Sequence, residues 1–194
     1  MTLSATRRGV LQAAAIGGLG AHGAQAQGFP SRPLRLIVAY APGGGVDAVG
    51  RILAEPLSAS LGQPVVVENR AGAGGSIGVD AMARSAPDGH TLTIISPATA
   101  TAGPLVRRTP YDPMALGFVA RMVSSPLLLV CRNDFPARDL AEFVALVRQQ
   151  PDLVRFASAG TGTLTHLVAA TLNLRLDGRM LHVPYRGTGP AMTD

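Results

Sequence analysis

A strand that is apolar on both faces, followed by a glycine-rich turn and an amphipathic helix, most constrains the fold of this chain. Residues 34–40 read LRLIVAY, an aliphatic run with almost no alternation, which is typical of a strand buried on both faces of a parallel sheet. The turn APGGG follows at 41–45. Apolar residues then recur at helical spacing until Gly62, where the helix is expected to end. The pattern predicts a β-loop-α unit over 34–61.

Similar units follow along the chain. Further strands are predicted at 64–69, 90–96, 125–132, 154–160 and 180–187, and further helices at 77–86, 136–151 and 164–174. The strand, glycine–threonine loop and helix at 154–174 repeat the architecture of 34–61. Successive units of this kind need right-handed crossovers and give an open, doubly wound sheet of the α/β class.

Some local patterns give more specific predictions. Asp139 and Glu142 have capping-box spacing at the start of the helix in 136–151. The buried face of that helix is predicted to comprise Leu140, Phe143, Val144 and Val147. Cys131 lies in an apolar run and is expected to be a buried structural thiol. After the strand at 180–187 the sequence indicates no terminal helix.

The composition disfavours several functions. The sequence contains no lysine, so a Schiff base or a P-loop lysine is impossible. Aromatic residues make up 4% and tryptophan is absent, which disfavours stacking platforms for bases or sugars. The arginines behind the net charge of +5 are scattered, and we expect no nucleic-acid partner. His90, His166 and His182 are too widely spaced for a metal motif, so no metal or cofactor is expected.

The N-terminus has the pattern of an export signal. A basic pair, Arg7 and Arg8, precedes an apolar stretch over 9–21 that is too short for a membrane span. Small residues near its end predict a signal peptide over 1–26, cleaved after Ala26. The segment TRRGVLQ resembles a twin-arginine signal, and an ordinary secretory signal that carries two arginines is the alternative. Either route places the mature chain outside the cytoplasm.

Two glycine-rich loops are predicted to bind an anion. The first, 41–47, and the second, 158–163, each follow a predicted strand and precede a helix. The first amides of such a helix lack intrahelical partners, and together with the helix dipole they attract negative groups. Glycine allows a ligand to approach the backbone closely. In the second loop Ser158, Thr161 and Thr163 add hydroxyl donors.

A dinucleotide site is one alternative for the first loop. Residues 43–48 satisfy the fingerprint G-x-G-x-x-A, and Glu68 lies where a ribose carboxylate belongs. An exported NAD(P)-dependent oxidoreductase is therefore a competing hypothesis. Against it, Pro42 precedes the first glycine, and Asp47 would place a carboxylate beside the pyrophosphate.

A hydrolase is a second enzymatic alternative. It would use Ser158 or Ser96 as the nucleophile and His166 as the base. The sequence has no G-x-S-x-G elbow around either serine, and no acidic residue is evident as a partner for His166.

The ordered motifs resemble those of a known receptor family. The motifs PGGGVD, LGQPVVVENRAGAGGSIG, APDGHTL, PYDP, SAGTGTLTH and HVPYRGTGPAMTD occur in this order between Pro33 and Asp194. They are similar to those of the Bug-type solute receptors, the extracytoplasmic substrate-binding proteins of tripartite tricarboxylate transporters. The resemblance implies a monomeric periplasmic receptor that captures a small carboxylate ligand for membrane permease subunits, without catalysis.

The resemblance also implies a type II, Venus-flytrap architecture of two α/β lobes around a cleft. The first lobe is expected at 27–100, an inter-lobe crossing segment at 101–124 and part of the second lobe at 125–194. Family members continue beyond the position that corresponds to Asp194. Because a lobe without its central elements loses core burial, we expect a chain of this length to fold weakly or to close no functional cleft.

Ligand-binding residues follow from the resemblance, position by position. They are Ala41, Pro42, Gly43, Gly44, Gly45 and Asp47 in the first loop, and Ser158, Ala159, Gly160, Thr161, Gly162, Thr163 and His166 in the second. The two loops would grip one carboxylate through amides, hydroxyls and waters. Asp47 is expected to fix its loop or cap the helix, and His166 either to orient a hydroxyl or to pack. Val46 departs from the small hydroxylated residue often found there, and the sequence does not specify which carboxylate is bound.

Overall fold

The structure, a computed structural model, describes residues 28–150 and 153–194. Every element described below belongs to the compact unit Arg32–Asp194. The predicted signal peptide, residues 1–26, lies outside the described residues.

The first sheet has the β2-β1-β3 order of parallel strands expected for consecutive β-loop-α units. Its elements are β1 (Leu34–Val38), α1 (Gly45–Leu61), β2 (Val65–Asn69), α2 (Ser76–Ala83) and β3 (Thr91–Ile94). The side chains of Ile37 and Val38 on the central strand are fully buried. Burial of consecutive residues explains why β1 reads as a continuous apolar run, since both faces of this strand are covered.

The second sheet consists of two parallel strands with their own hydrophobic cluster. Its strands are β4 (Arg155–Ser158) and β5 (Leu181–Pro184); α5 (Leu140–Gln149) precedes them and α6 (Leu164–Arg175) connects them. The cluster comprises Val147, Val154, Leu176 and Met180, with Phe135 and Phe143 packed against it. Because β4 and β5 are parallel, their carboxyl ends lie at the same edge of the sheet.

Shorter elements occupy the rest of the described chain. They are a 3-10 turn at Ala73–Gly75, α3 (Pro97–Ala100), α4 (Ala102–Val106), a 3-10 turn at Pro113–Ala115 and α7 (Thr188–Thr193). Residues 116–139 contain no helix or strand. Among the described residues, no helix has the length and apolar character needed to cross a membrane.

The predicted α/β class is confirmed, and most predicted elements occur at shorter lengths. A strand lies within each predicted range apart from 125–132, and α1, α2, α5 and α6 occupy the predicted helical regions. Asp139 caps α5, because its side chain accepts a hydrogen bond from Glu142 N at 2.8 Å. In a capping box, the Glu142 side chain would accept a hydrogen bond from the backbone amide of the cap residue, Asp139. Here Glu142 Oε2 accepts one from Arg138 N at 2.8 Å instead.

The strand predicted at 125–132 is wrong. Leu128 is 77% exposed and Cys131 is exposed, so the expectation of a buried thiol is wrong as well. The local sequence favours a strand, but a strand also needs a neighbour to satisfy its backbone. In the described part of the chain no strand pairs with this segment.

Two predictions about helices also need correction. Leu140, assigned to the buried face of α5, is 64% exposed, whereas Val147 on the same helix is fully buried. The reason is that Leu140 is the first residue of α5, where the helix has not yet reached the hydrophobic cluster around Val147. A short helix, α7, does follow β5, although no terminal helix was expected there.

Candidate ligand-binding site

The first glycine loop is held in shape by Asp47, which lies in the first turn of α1. The residue is 4% exposed. Its Oδ2 accepts a hydrogen bond from Gly43 N at 3.0 Å, and its Oδ1 accepts one from Asn69 Nδ2 at 2.8 Å. Arg51 Nε donates to the same carboxylate at 3.0 Å. The carboxylate therefore ties the loop to the end of β2, and the Gly43 amide is already engaged.

The pKa of Asp47 lies below its ordinary value. Burial by itself raises the pKa of this carboxyl, but hydrogen bonds from Arg51, Asn69 and the Gly43 amide outweigh burial. The carboxylate is therefore ionised near neutral pH. A negative charge at the base of this loop repels an anionic ligand, so the contacts support the expectation that Asp47 fixes the loop.

The second glycine loop is closed by its own hydroxyl groups. Ser158, at the end of β4, is 2% exposed and accepts a hydrogen bond from Gly160 N at 3.1 Å. Thr163 caps α6, where its Oγ1 accepts from His166 N at 3.5 Å and donates to Gly160 O at 2.6 Å. Amides used inside this region are those of Ala159, Gly160, Gly162 and Thr163. Thr161, by contrast, is exposed.

Three stacked rings support the second loop beside β5. The ring centroids of His166 and His182 are 4.2 Å apart, and those of Phe156 and His182 are 4.9 Å apart. His182 Nε2 lies 2.7 Å from Ser158 Oγ, and His166 Nδ1 accepts a hydrogen bond from Gly162 N at 3.2 Å. Of the two roles expected for His166, the structure shows packing, together with a bond to the loop backbone.

The pKa of His182 lies below its ordinary value. Burial is the larger cause, and the neighbouring His166 lowers the pKa further. The neutral ring is thus favoured beside Ser158. His182 could not be assigned to the site from sequence, because only the register of β4 against β5 places it opposite Phe156.

The first loop packs against the segment that follows β5. Ala41 N donates to Arg186 O at 2.9 Å. A Cβ atom added to Gly44 would stand 2.7 Å from Thr188 Oγ1, and one added to Gly189 would stand 2.4 Å from Pro42 O. The two backbones are therefore in close contact, and glycine is required at this approach.

The second loop packs against the glycine-rich turn that precedes α2. A Cβ atom added to Gly160 would stand 3.5 Å from the Cα of Gly74, so these two backbones touch. Each predicted loop thus meets a loop of the other sheet. Within residues 28–150 and 153–194, no hydrogen bond joins 41–47 directly to 158–163.

An open cavity of about 380 Å³ lies where the second loop meets the turn before α2. Its lining includes Ala73, Gly74, Arg107, Gly160, Thr161 and Tyr185. Of the residues predicted from sequence, Gly160 and Thr161 contribute. The glycine-rich motif at 71–75 was a usable signal for Gly74, whereas Arg107 lies in a segment without periodicity and gave none.

The residues named in the two enzymatic alternatives have other partners in the structure. Glu68, the predicted ribose ligand, is paired with Arg35 at 2.7 Å and with Arg70 at 2.6 Å. Ser158 pairs with His182 and not with His166, the predicted base. In the part of the chain that the structure describes, no three His, Cys, Asp or Glu side chains are grouped as a metal site requires.

Comparison of the sequence with known proteins matches this chain to one family of receptors. The profile of the family described as tripartite tricarboxylate transporter family receptor matches residues 49–194. Protein BugT of Bordetella pertussis is 40% identical over 169 residues, which cover 86% of this chain and 52% of BugT. The chain spans about half the length of the curated relatives it matches.

Comparison with solved structures leads to the same family. The periplasmic binding protein BugD is 33% identical with a TM-score of 0.73, over 86% of this chain and 56% of BugD. MatC from Rhodopseudomonas palustris, solved with bound malate, is 36% identical with a TM-score of 0.80, over 85% of this chain and 57% of MatC. These relatives are solute-binding receptors, so the oxidoreductase and hydrolase alternatives are wrong. With the fold of Bug-type periplasmic binding proteins, this chain belongs to the receptor family of the tripartite tricarboxylate transporters.

Proposed function

We propose that this chain carries the ligand-binding site of a periplasmic receptor that captures a small di- or tricarboxylate, or a similar organic acid. The observation that carries the proposal is the cavity of about 380 Å³, whose lining contains Arg107 and no carboxylate side chain. A positively charged cavity of this size suits a small anion. The malate bound to MatC supports the same ligand class.

The predicted site residues fall into two groups, those proposed to touch the ligand and those proposed to shape the loops. Thr161 is exposed at the cavity, and Gly160 lines it, so these residues are proposed to touch the ligand. Residues proposed to shape the loops are Asp47, Ser158, Thr163 and His166, whose polar atoms are already bonded. Ala41, Pro42, Gly43, Gly44 and Gly45 are proposed to set the position of the first loop against the segment after β5.

Transport and location are proposed from the family. The ligand would be passed to membrane permease subunits, with the receptor acting as a monomer in the periplasm after cleavage at Ala26. Support comes from the family description, the periplasmic binding protein BugD and the N-terminal sequence pattern. The division into lobes at 27–100 and 125–194, joined by 101–124, is part of the same proposal.

A thermal-shift panel on this chain tests the function. The ligands are malate, succinate, citrate, an aromatic monocarboxylate, NAD and NADP. We expect the melting temperature to rise with di- or tricarboxylates, because a ligand that binds only the folded state stabilises it. Dinucleotides should leave the melting temperature unchanged.

Two outcomes would contradict the proposal. One is stabilisation by NAD or NADP without any effect of carboxylates, and the other is no stabilisation by any carboxylate. The sequence-based expectation that a chain of this length folds weakly or closes no functional cleft makes the opposite prediction for this scan. We favour the proposal because the structure contains both sheets and the cavity. A cooperative melting transition with a carboxylate-dependent rise would show that expectation to be wrong.

A further inference from the structure

Arg107 lies where the two sheets approach each other at the cavity. It directly follows α4 and is half-buried. Its Nη2 atom donates a hydrogen bond to the Thr161 carbonyl. The same Nη2 lies 2.8 Å from the position that a Cβ on Gly74 would occupy and 3.9 Å from that on Gly162. The guanidinium is therefore held between the second glycine loop and the turn before α2.

The charge of Arg107 has no counter-ion in the described part of the chain. Among residues 28–150 and 153–194, no carboxylate oxygen lies within 4.0 Å of its guanidinium, whereas Arg35, Arg51 and Arg84 each form such a pair. Arginine offers five N–H donors, and among the described residues only the Thr161 carbonyl accepts a hydrogen bond from this guanidinium, through Nη2. The remaining donors are available at a cavity whose lining has no other charged side chain.

The backbone amides of the second loop do little to stabilise the charge of an anionic ligand at the cavity. The amides of Ala159, Gly160 and Gly162 donate within their own region and do not point free donors at a ligand. A ligand with two negative charges at this cavity therefore needs a cation, and the lining supplies Arg107. A guanidinium suits a carboxylate because its planar fork makes two parallel hydrogen bonds.

We propose that Arg107 contacts the ligand directly and selects ligands with two carboxylate groups over those with one. The inference rests on the proposed function, since it names the residue that sets the ligand class at that site. Arg107 also bridges two loops, so the test must separate ligand selection from loop support.

The test compares two ligands of the same carbon count, succinate and butyrate, by isothermal titration on the full chain. Its variants are Arg107→Gln and the matched control Arg108→Gln, which removes the same charge from the adjacent, exposed residue. The wild-type chain is expected to prefer succinate. Arg107→Gln should reduce that preference by at least about tenfold, the size of a lost charge-assisted hydrogen bond. Arg108→Gln should leave the preference unchanged.

A second variant keeps the test decisive if Arg107→Gln does not fold. Arg107→Lys retains the charge but loses the fork, so succinate should weaken by about threefold or more relative to butyrate. An unchanged preference in either folded Arg107 variant would overturn the inference and leave the proposed function intact. Equal losses for both ligands would do the same, because they would indicate loop support alone. If the wild-type chain binds neither ligand nor any other carboxylate, the proposed function itself fails.

Discussion

Asp47 is one carboxylate with three different donors, and its effect on stability should exceed that of an exposed ion pair. Removing it by Asp47→Ala leaves the Gly43 amide without its acceptor and takes away one of the two acceptors of Asn69 Nδ2. We expect a loss of about 1–3 kcal/mol in the free energy of unfolding, measured by urea denaturation. The matched control is Asp80→Ala, which breaks another i,i+4 pair, with Arg84, whose side chain is 69% exposed. The control should lose less than about 1 kcal/mol.

The ionisation of Asp47 also predicts how the stability of the chain changes with pH. Because the folded-state pKa of Asp47 lies below its unfolded value, ionised Asp47 stabilises the fold above about pH 4. That stabilisation is lost as the pH falls through the folded-state pKa. Asp47→Ala should therefore show a shallower loss of stability in acid than the wild-type chain. Identical acid limbs for the two proteins would contradict the assigned role.

The role of Asp47 could be predicted from sequence, whereas that of Arg107 could not. Asp47 lies within four residues of both Gly43, just before α1, and Arg51, one turn along α1, so local geometry brings these groups together. The bond from Arg107 to the Thr161 carbonyl spans 54 positions and depends on how the two sheets meet. No periodicity in the segment around Arg107 encodes that approach.

Among the helices and strands, too, those set by local sequence patterns were predicted correctly, whereas a strand that needs a distant partner was not. The apolar run of β1, the helix α1 and the Asp139 cap follow from local patterns, and the structure contains all three. The apolar stripe of α1 did not predict burial, since Ile52 on that stripe is 72% exposed. The strand expected at 125–132 has the right residues but finds no partner in the described chain. Strand formation depends on neighbours more than helix formation does, which explains why the clearest error is a strand.

The turn before α2 provides a prediction at the scale of elements. In Gly74→Ala, the new Cβ would stand 2.7 Å from the Thr161 carbonyl and 2.8 Å from the Arg107 guanidinium, so the turn and the second loop must separate. We expect weaker carboxylate binding and a lower melting temperature. The two quantities are measured by titration and by thermal denaturation.

Gly62→Ala is the control for that substitution. Gly62 has φ +65°, close to the φ +60° of Gly74, but among the described residues no atom beyond its chain neighbours lies within 4 Å of an added Cβ. Both variants carry similar backbone strain, of about 1 kcal/mol, and only Gly74→Ala adds the clash. Equal effects of the two variants on ligand binding would show that the contact between turn and loop is unimportant.

At the scale of the whole molecule, the segment at 116–139 exposes a series of large apolar side chains. Leu128 and Val130 are 77% and 60% exposed. We expect Leu128→Ser to reduce self-association, measured by light scattering, while changing the free energy of unfolding by less than about 0.5 kcal/mol. Leu36→Ser is the control at a buried site, 5% exposed, and should unfold the chain far more easily. A large loss of stability in Leu128→Ser would place this segment inside the folded core.

The cavity has a consequence for the order of folding. Its walls come from four separate stretches of chain around Gly74, Arg107, Thr161 and Tyr185, so it cannot exist before both sheets have formed and met. Contacts that close long loops carry a high entropic cost and tend to form late. A captured anion would therefore stabilise contacts absent from the folding transition state. Its main kinetic effect should be to slow unfolding, with little change in the rate at which the chain folds.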